Sequence, residues 1–108
     1  MTSPNPVAGE ARIRVSVRAD IADLVPAFLD KRRREVPAIA AALQAGDYGR
    51  IRTWAHNMAG TGEAYGFQPI TAIGRAMEAA AMAADGTTIR SCTDNLADYL
   101  RRVEVIHG

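Results

Sequence analysis

One cysteine, Cys92, stands among 108 residues. A single thiol excludes an internal disulfide and fits a reducing compartment. It falls on an apolar helical stripe, which reads as a small buried hydrophobe rather than a nucleophile. Histidines are as scarce: His56 and His107 lie far apart and, with one cysteine, offer no metal-ligand spacing. No apolar run approaches the ~20 residues that span a bilayer. The opening Met1-Thr2-Ser3-Pro4-Asn5-Pro6 lacks the apolar core of a signal peptide, so a soluble, cytoplasmic protein without membrane contact is expected. Charge of either sign is not in excess: the formal net charge of +1 argues against a nucleic-acid partner. No glycine-rich phosphate loop is present, since Thr61-Gly62 and Asp85-Gly86 read as packing or turn elements. Neither Cys92 nor any serine has a base patterned beside it, which leaves a nucleophilic triad without support. Aromatic residues make up only 6% of the chain while alanine abounds, a balance that favours closely packed helices over sheets.

What is present has the size of one domain. Residues 1–11 hold two prolines, a glycine and small polar groups, and read as a flexible leader before a unit spanning 12–108. Ile13, Val15 and Val17 alternate with Arg12, Arg14, Ser16 and Arg18, a period-2 pattern of strand type with no partner in sight. It is expected to lie extended across the helices or to pair with a second copy. Asp20 predicts the cap of a short helix, Ile21–Leu24. Pro26 then opens a longer helix whose apolar positions, Val25, Phe28, Leu29, Val36, Ile39, Ala40 and Leu43, keep a 3-4 spacing. Pro37 inside it predicts a kink near Arg33 or a break into two helices. The run Lys31-Arg32-Arg33-Arg34 reads as a solvated face. Gly46-Asp47 stops one helix and caps the next, Tyr48–Tyr65, which Gly66 ends. Further helices are predicted over Pro69–Ala84 and Thr88–Ile106, the last with Ile89, Cys92, Leu96, Tyr99, Leu100, Val103 and Ile106 inward and His107 frayed beyond it. The fold class expected is all-α: an antiparallel four-helix bundle with a short extra N-terminal helix.

The one residue with chemical promise is His56. On a helical wheel at 100° per residue, Ile51, Ala55, Met58, Gly62 and Tyr65 share one stripe with Trp54 beside it. His56 lies nearly opposite, among Arg52, Thr53, Ala59, Gly60 and Glu63. The imidazole is therefore expected to face solvent from a helix anchored on its other side. Gly49, Gly60 and Ala59 leave room for another protein to approach. An exposed imidazole on a rigid support can receive and hand on a phosphoryl group.

Ala55-His56-Asn57-Met58-Ala59-Gly60 in this helical setting resembles the histidine-containing phosphotransfer (HPt) domain of bacterial phosphorelays, whose pattern is Ala-His-x-Leu-Lys-Gly. Ala55, His56 and Gly60 match, and Met58 stands for leucine. Gly66 marks the helix end, Met77-Glu78 matches the following Leu-Glu element, and Ala42-Leu43-Gln44-Ala45-Gly46-Asp47 resembles the family's lead-in. The likeness covers roughly residues 20–106. It implies a phosphocarrier rather than an enzyme, with no ATP-binding domain and no cofactor of its own. His56 would be the phosphoryl acceptor, and Glu78 or Glu63 would orient its ring. Gly49, Thr53, Ala59 and Gly60 would form the docking surface. The implied partners are a sensor histidine kinase and a response-regulator receiver domain, which brings the Mg²⁺, and the protein would act as a monomer. The family's lysine after the histidine is Ala59 here. Arg52, one turn before His56 on the same face, is the candidate replacement cation, since its fork suits phosphate oxygens. Two other classes compete. A kinase dimerisation helix would continue His-Glu-Leu-Arg-Thr-Pro, which this chain does not. An HPt-like interaction module that carries no phosphate is consistent with Ala59.

Overall fold

The computed structural model describes residues 11–107, so the predicted leader lies, but for Ala11, outside the described residues. Strand β1 (Ile13–Val17) leads into a 3₁₀ helix (Ala19–Leu24). Four helices follow, α1 (Val25–Gln44), α2 (Tyr48–Tyr65), α3 (Gln68–Met82) and α4 (Gly86–Arg102), and strand β2 (Val103–His107) closes the described chain. The chain is mostly helical and the four helices pack together. The α2–α3 contact is the most extensive; α3 meets α4, α4 meets α1, and α1 meets α2.

The helix boundaries follow local chemistry. The Asp47 carboxylate accepts from the Arg50 N–H at 3.2 Å, and Asp85 accepts from the Thr88 N–H at 3.1 Å, satisfying amides that the first turn leaves open. The Thr88 hydroxyl and N–H hold the Asp85 carboxyl below the usual carboxylate range. Helices α1, α2 and α3 end alike. Asp47 N–H reaches Ala42 C=O, Phe67 reaches Gly62, and Asp85 reaches Ala80, at 2.9, 2.8 and 2.8 Å. Each such cap needs a left-handed residue just before the returning N–H. Gly46 and Gly66 supply it at φ +72° and +85°, and Ala84 supplies it without being glycine, at φ +53°. Hence α3 stops at Met82 rather than at the predicted Ala84. Pro37 does not divide α1, which is one helix from Val25 to Gln44.

Both ends of the described chain depart from expectation. The last helix does not run to Ile106. It stops at Arg102, and Val103–His107 pairs in parallel with β1 in the register Ile13 to Val103 and Val17 to His107. β-branched Val103, Val105 and Ile106 suit a pleated surface, and β1 offers them a ladder that a frayed helix end would not. The early strand thus has an intramolecular partner, with the helices forming the crossover that parallel strands require. Arg102 Nε donates to Ala11 C=O at 2.8 Å and Arg12 Nη1 to Arg101 C=O at 3.0 Å, stapling the start of the ribbon. The short helix is 3₁₀ and begins at Ala19. Asp20 caps nothing there; its carboxylate accepts from Arg18 at 3.1 and 3.2 Å.

The core is as the stripes predict in α2 and α4. Ile51, Ala55, Met58, Met77, Ile89 and Leu96 are fully buried, and Phe28 packs on the rings of Tyr65 and Phe67. The basic run is not uniformly solvated. Lys31, Arg33 and Arg34 are exposed, but Arg32 is 1% exposed. Its Nη2 donates to Glu35 Oε2 at 2.9 Å, its Nη1 to the Thr61 hydroxyl at 3.1 Å, and its guanidinium lies over Phe28. Burial pushes the Arg32 pKa down and the Glu35 pKa up, and each charge opposes the other's shift. Among the described residues, no helix is long and apolar enough to cross a membrane.

Candidate functional site

The site grows out of the α2–α3 seam, where two backbones nearly touch. A Cβ at Gly62 would lie 2.7 Å from Thr71 Oγ1, and one at Gly74 would lie 2.8 Å from the Ala59 amide nitrogen and 2.9 Å from Ala55 O. Ala55 and Ala59 are the small residues that α2 presents to this seam, and the Thr71 hydroxyl crosses it to donate to Ala59 C=O at 3.1 Å. Partners climb α3 as they descend α2: Gly62 meets Thr71, Ala59 meets Gly74, His56 meets Glu78.

His56 therefore sits at the edge of the seam. Its side chain is 73% exposed while that of Glu78 is 27% exposed, and His56 Nδ1 lies 3.1 Å from Glu78 Oε2. A carboxylate can only accept, so Nδ1 is the donor in this contact, and in the neutral ring the lone pair is then on Nε2. Gly49, Arg52, Thr53, His56 and Glu78 line one open cavity of about 400 Å³. The Thr53 hydroxyl donates back to Gly49 C=O at 3.3 Å. Arg50, the neighbouring cation on α2, lies over the Trp54 ring at 5.0 Å, whereas Arg52 has no ion pair or hydrogen bond among the described residues. A somewhat larger groove of about 460 Å³ between α1 and α4 is lined by Leu43, Arg90, Thr93 and Asp94 but by no histidine or cysteine, and the Thr93 hydroxyl is committed to Ile89 C=O at 2.8 Å.

The structure brings together five of the residues singled out from sequence: His56, Glu78, Arg52, Thr53 and Gly49. Gly60 is exposed with open space about it but does not line the cavity. Two expectations are corrected. Ala59 does not face solvent: it is 7% exposed, because the bare backbone of Gly74 lets α3 close over it. Glu63 does not orient the imidazole, because its carboxylate accepts from Arg75 Nη2 at 3.0 Å. Met82 was missed. It is 64% exposed, and its spacing of four residues from Glu78 is the signal that sets it on the same face of α3. Cys92 is buried, and burial, with the nearby Asp85 charge, pushes its thiol pKa up. Among the described residues no cluster of three His, Cys, Asp or Glu could hold a metal.

Chemically, the site offers an exposed imidazole whose Nδ1 is held by a carboxylate while Nε2 is left without a partner among the described residues, and one uncommitted guanidinium within the same cavity. No family model matches the chain, and no curated protein or solved structure does.

Proposed function

We propose that this protein is a phosphocarrier of a two-component phosphorelay, an HPt domain that accepts a phosphoryl group on His56 and returns it to a receiver-domain aspartate. The observation that carries this is the 3.1 Å contact between His56 Nδ1 and Glu78 Oε2 on a side chain otherwise open to solvent. In the proposed step the Nε2 lone pair forms a bond to phosphorus. The bond from phosphorus to the donor carboxylate oxygen breaks, and the aspartate leaves with that electron pair. The ring gains positive charge while Nδ1 keeps its proton against the Glu78 carboxylate. The reverse step returns the phosphoryl group. The chain supplies a positioned nucleophile, and the receiver supplies Mg²⁺ and its acidic pocket. Arg52 is the proposed phosphate cation. It lines the same cavity, and a guanidinium without a competing carboxylate is free to pair with phosphoryl oxygens.

An antiparallel four-helix bundle belongs to the same proposal. Helix caps three residues apart or fewer join consecutive helices, and the α2–α3 partners run in opposite senses. A cytoplasmic monomer with a sensor kinase upstream completes it. Burial of Ala59 gives a second reading its support: with no cation three residues after the histidine, the bundle would bind a receiver or kinase without carrying phosphate. One experiment separates them. Wild-type protein mixed with phosphorylated receiver domains gains an acid-labile, base-stable label that His56→Gln lacks, with helical circular dichroism unchanged. Label retained in His56→Gln refutes the assignment, and binding without label favours the second reading.

A further inference from the structure

We infer that a receiver docks off-centre on the α2–α3 face, displaced from His56 toward Met82, and that Met82 is its apolar anchor. This rests on the phosphocarrier proposal and adds to it where the partner sits. Met82 is 64% exposed, more than either of the other large exposed hydrophobic side chains, Leu24 and Ile106, and it alone of these lies on α2 or α3. Extending by one helical turn the seam register that pairs Ala59 with Gly74 and His56 with Glu78 puts Met82 at the level of Arg52. Toward that end the surface offers an apolar thioether, a cation with no partner among the described residues, and bare space at Gly49.

The other direction from His56 is different. There Glu63 and Arg75 form a 3.0 Å ion pair with side chains 62% and 66% exposed. Covering hydrated, mutually paired charges costs desolvation that the contact does not return. Covering Met82 removes apolar surface from water, and an unbranched thioether adapts to whatever it meets, which suits a short-lived complex. The unpaired Arg52 completes the match with a receiver. The receiver's acidic pocket is complementary in charge to the unpaired Arg52, and Met82 beside it adds apolar surface that docking removes from water. The salt-bridged Glu63–Arg75 rim offers neither.

The test uses full-length protein and two phosphoryl donors. One is a panel of purified receiver domains loaded with radiolabelled acetyl phosphate. The other is phosphoramidate, a small donor that needs no docking surface. Met82→Ala, which removes the thioether without placing a charge beside Arg52, is expected to slow transfer from receivers about ten- to a hundredfold, as loss of an interface anchor does, while its phosphoramidate labelling stays at the wild-type rate. Arg75→Trp, which adds bulk at the opposite end, is expected to stay within about threefold of wild type for both donors. Circular dichroism melts check that both variants fold, and Met82→Gln, which keeps the length but not the apolar end, is expected to repeat the Met82→Ala result. Receiver transfer at the wild-type rate in the Met82 variant overturns the inference, as does a block by Arg75→Trp. Labelling of wild type by phosphoramidate but by no receiver also overturns it. A wild-type protein that gains His56 label from neither donor overturns the phosphocarrier proposal itself.

Discussion

Replacing Gly74 with alanine adds one methyl group at the point where α2 and α3 lie closest. That carbon would sit 2.8 Å from the Ala59 nitrogen, 2.9 Å from Ala55 O and 3.1 Å from Ala59 Cα. All three are backbone atoms, so no rotamer change can relieve the clash. Ordinary contact begins at 3.4 Å, so α3 must retreat by about 0.6 Å over the largest helix–helix contact in the molecule. Overpacking of this kind costs about 1–3 kcal/mol, and the better helix propensity of alanine returns about 1 kcal/mol. The net expectation is a loss of about 1 kcal/mol within a range of about 0–2, which lowers the melting temperature by up to roughly 10 °C in a domain of this size. Gly60 is the internal control. It lies in the same kind of helix interior, but an added Cβ meets nothing within 4 Å. Gly60→Ala should therefore gain about 0.5–1 kcal/mol and raise the melting temperature by a few degrees. Thermal melts followed by circular dichroism read both signs. A Gly74→Ala protein that melts at or above the wild-type temperature refutes the close seam, and with it the reason given for the burial of Ala59.

Two further outcomes are expected. Ala84 holds a left-handed conformation at φ +53° where α1 and α2 use glycine. Relief of about 1–2 kcal/mol of strain in Ala84→Gly, set against about 0.4–1 kcal/mol of extra unfolded-chain freedom, leaves a stabilisation of about 0.5–1 kcal/mol, and an unchanged or lower denaturation midpoint contradicts this. Arg32→Met strands the Glu35 carboxylate, at a cost of about 3–5 kcal/mol near neutral pH. Burial already raises the Glu35 pKa and Arg32 holds it back, so removing Arg32 raises it further. A carboxyl whose folded pKa lies above its unfolded value is destabilising above that folded pKa and recovers as pH falls toward the ordinary carboxylate range. The deficit in urea melts should thus shrink on acidification from pH 7 to about pH 5, and an equal deficit at both pH values rules out the mechanism. Adding Glu35→Leu to Arg32→Met should restore most of the lost stability at pH 7.

Helix α2 was legible to the residue, Tyr48–Tyr65, because its signals are local: a glycine and an aspartate before it and a glycine after it. The buried stripes of α2 and α4 were legible because period 3.6 survives in any helix that packs on one side. The Val103–His107 segment was not, since Val103 and Ile106 fit a helical stripe as well as a strand and the deciding partner, β1, lies at the far end of the chain. Arg32 was legible in principle. Val25, Phe28, Arg32, Glu35, Ile39 and Ala42 recur at three- and four-residue spacings and are all buried, which places the arginine on the apolar stripe. Composition misled here: a run of four bases suggests a solvated face, and only periodicity shows that one of them, with its carboxylate three residues on, turns inward.

Ala59 shows how the seam and the site constrain each other. A wheel drawn for α2 alone sets Ala59 near the exposed side, because nothing in α2 says how far around it α3 reaches. That extent is set by Gly74 and Gly62, which let the backbone of α3 come close enough to cover a residue beside the main stripe. The same close approach puts Glu78 within 3.1 Å of His56. Moving α3 outward to free position 59 for a long cationic side chain would also draw the carboxylate away from the imidazole. A seam this tight therefore favours a small residue at 59. It also leaves the charge needed beside a phosphorylated His56 to a position one turn back, outside the covered strip. Arg52 occupies that position, lines the His56 cavity, and has no partner among the described residues. On this physical ground, under the phosphocarrier proposal, an alanine after the histidine and an arginine before it are two parts of one arrangement rather than a loss and an unrelated surface charge.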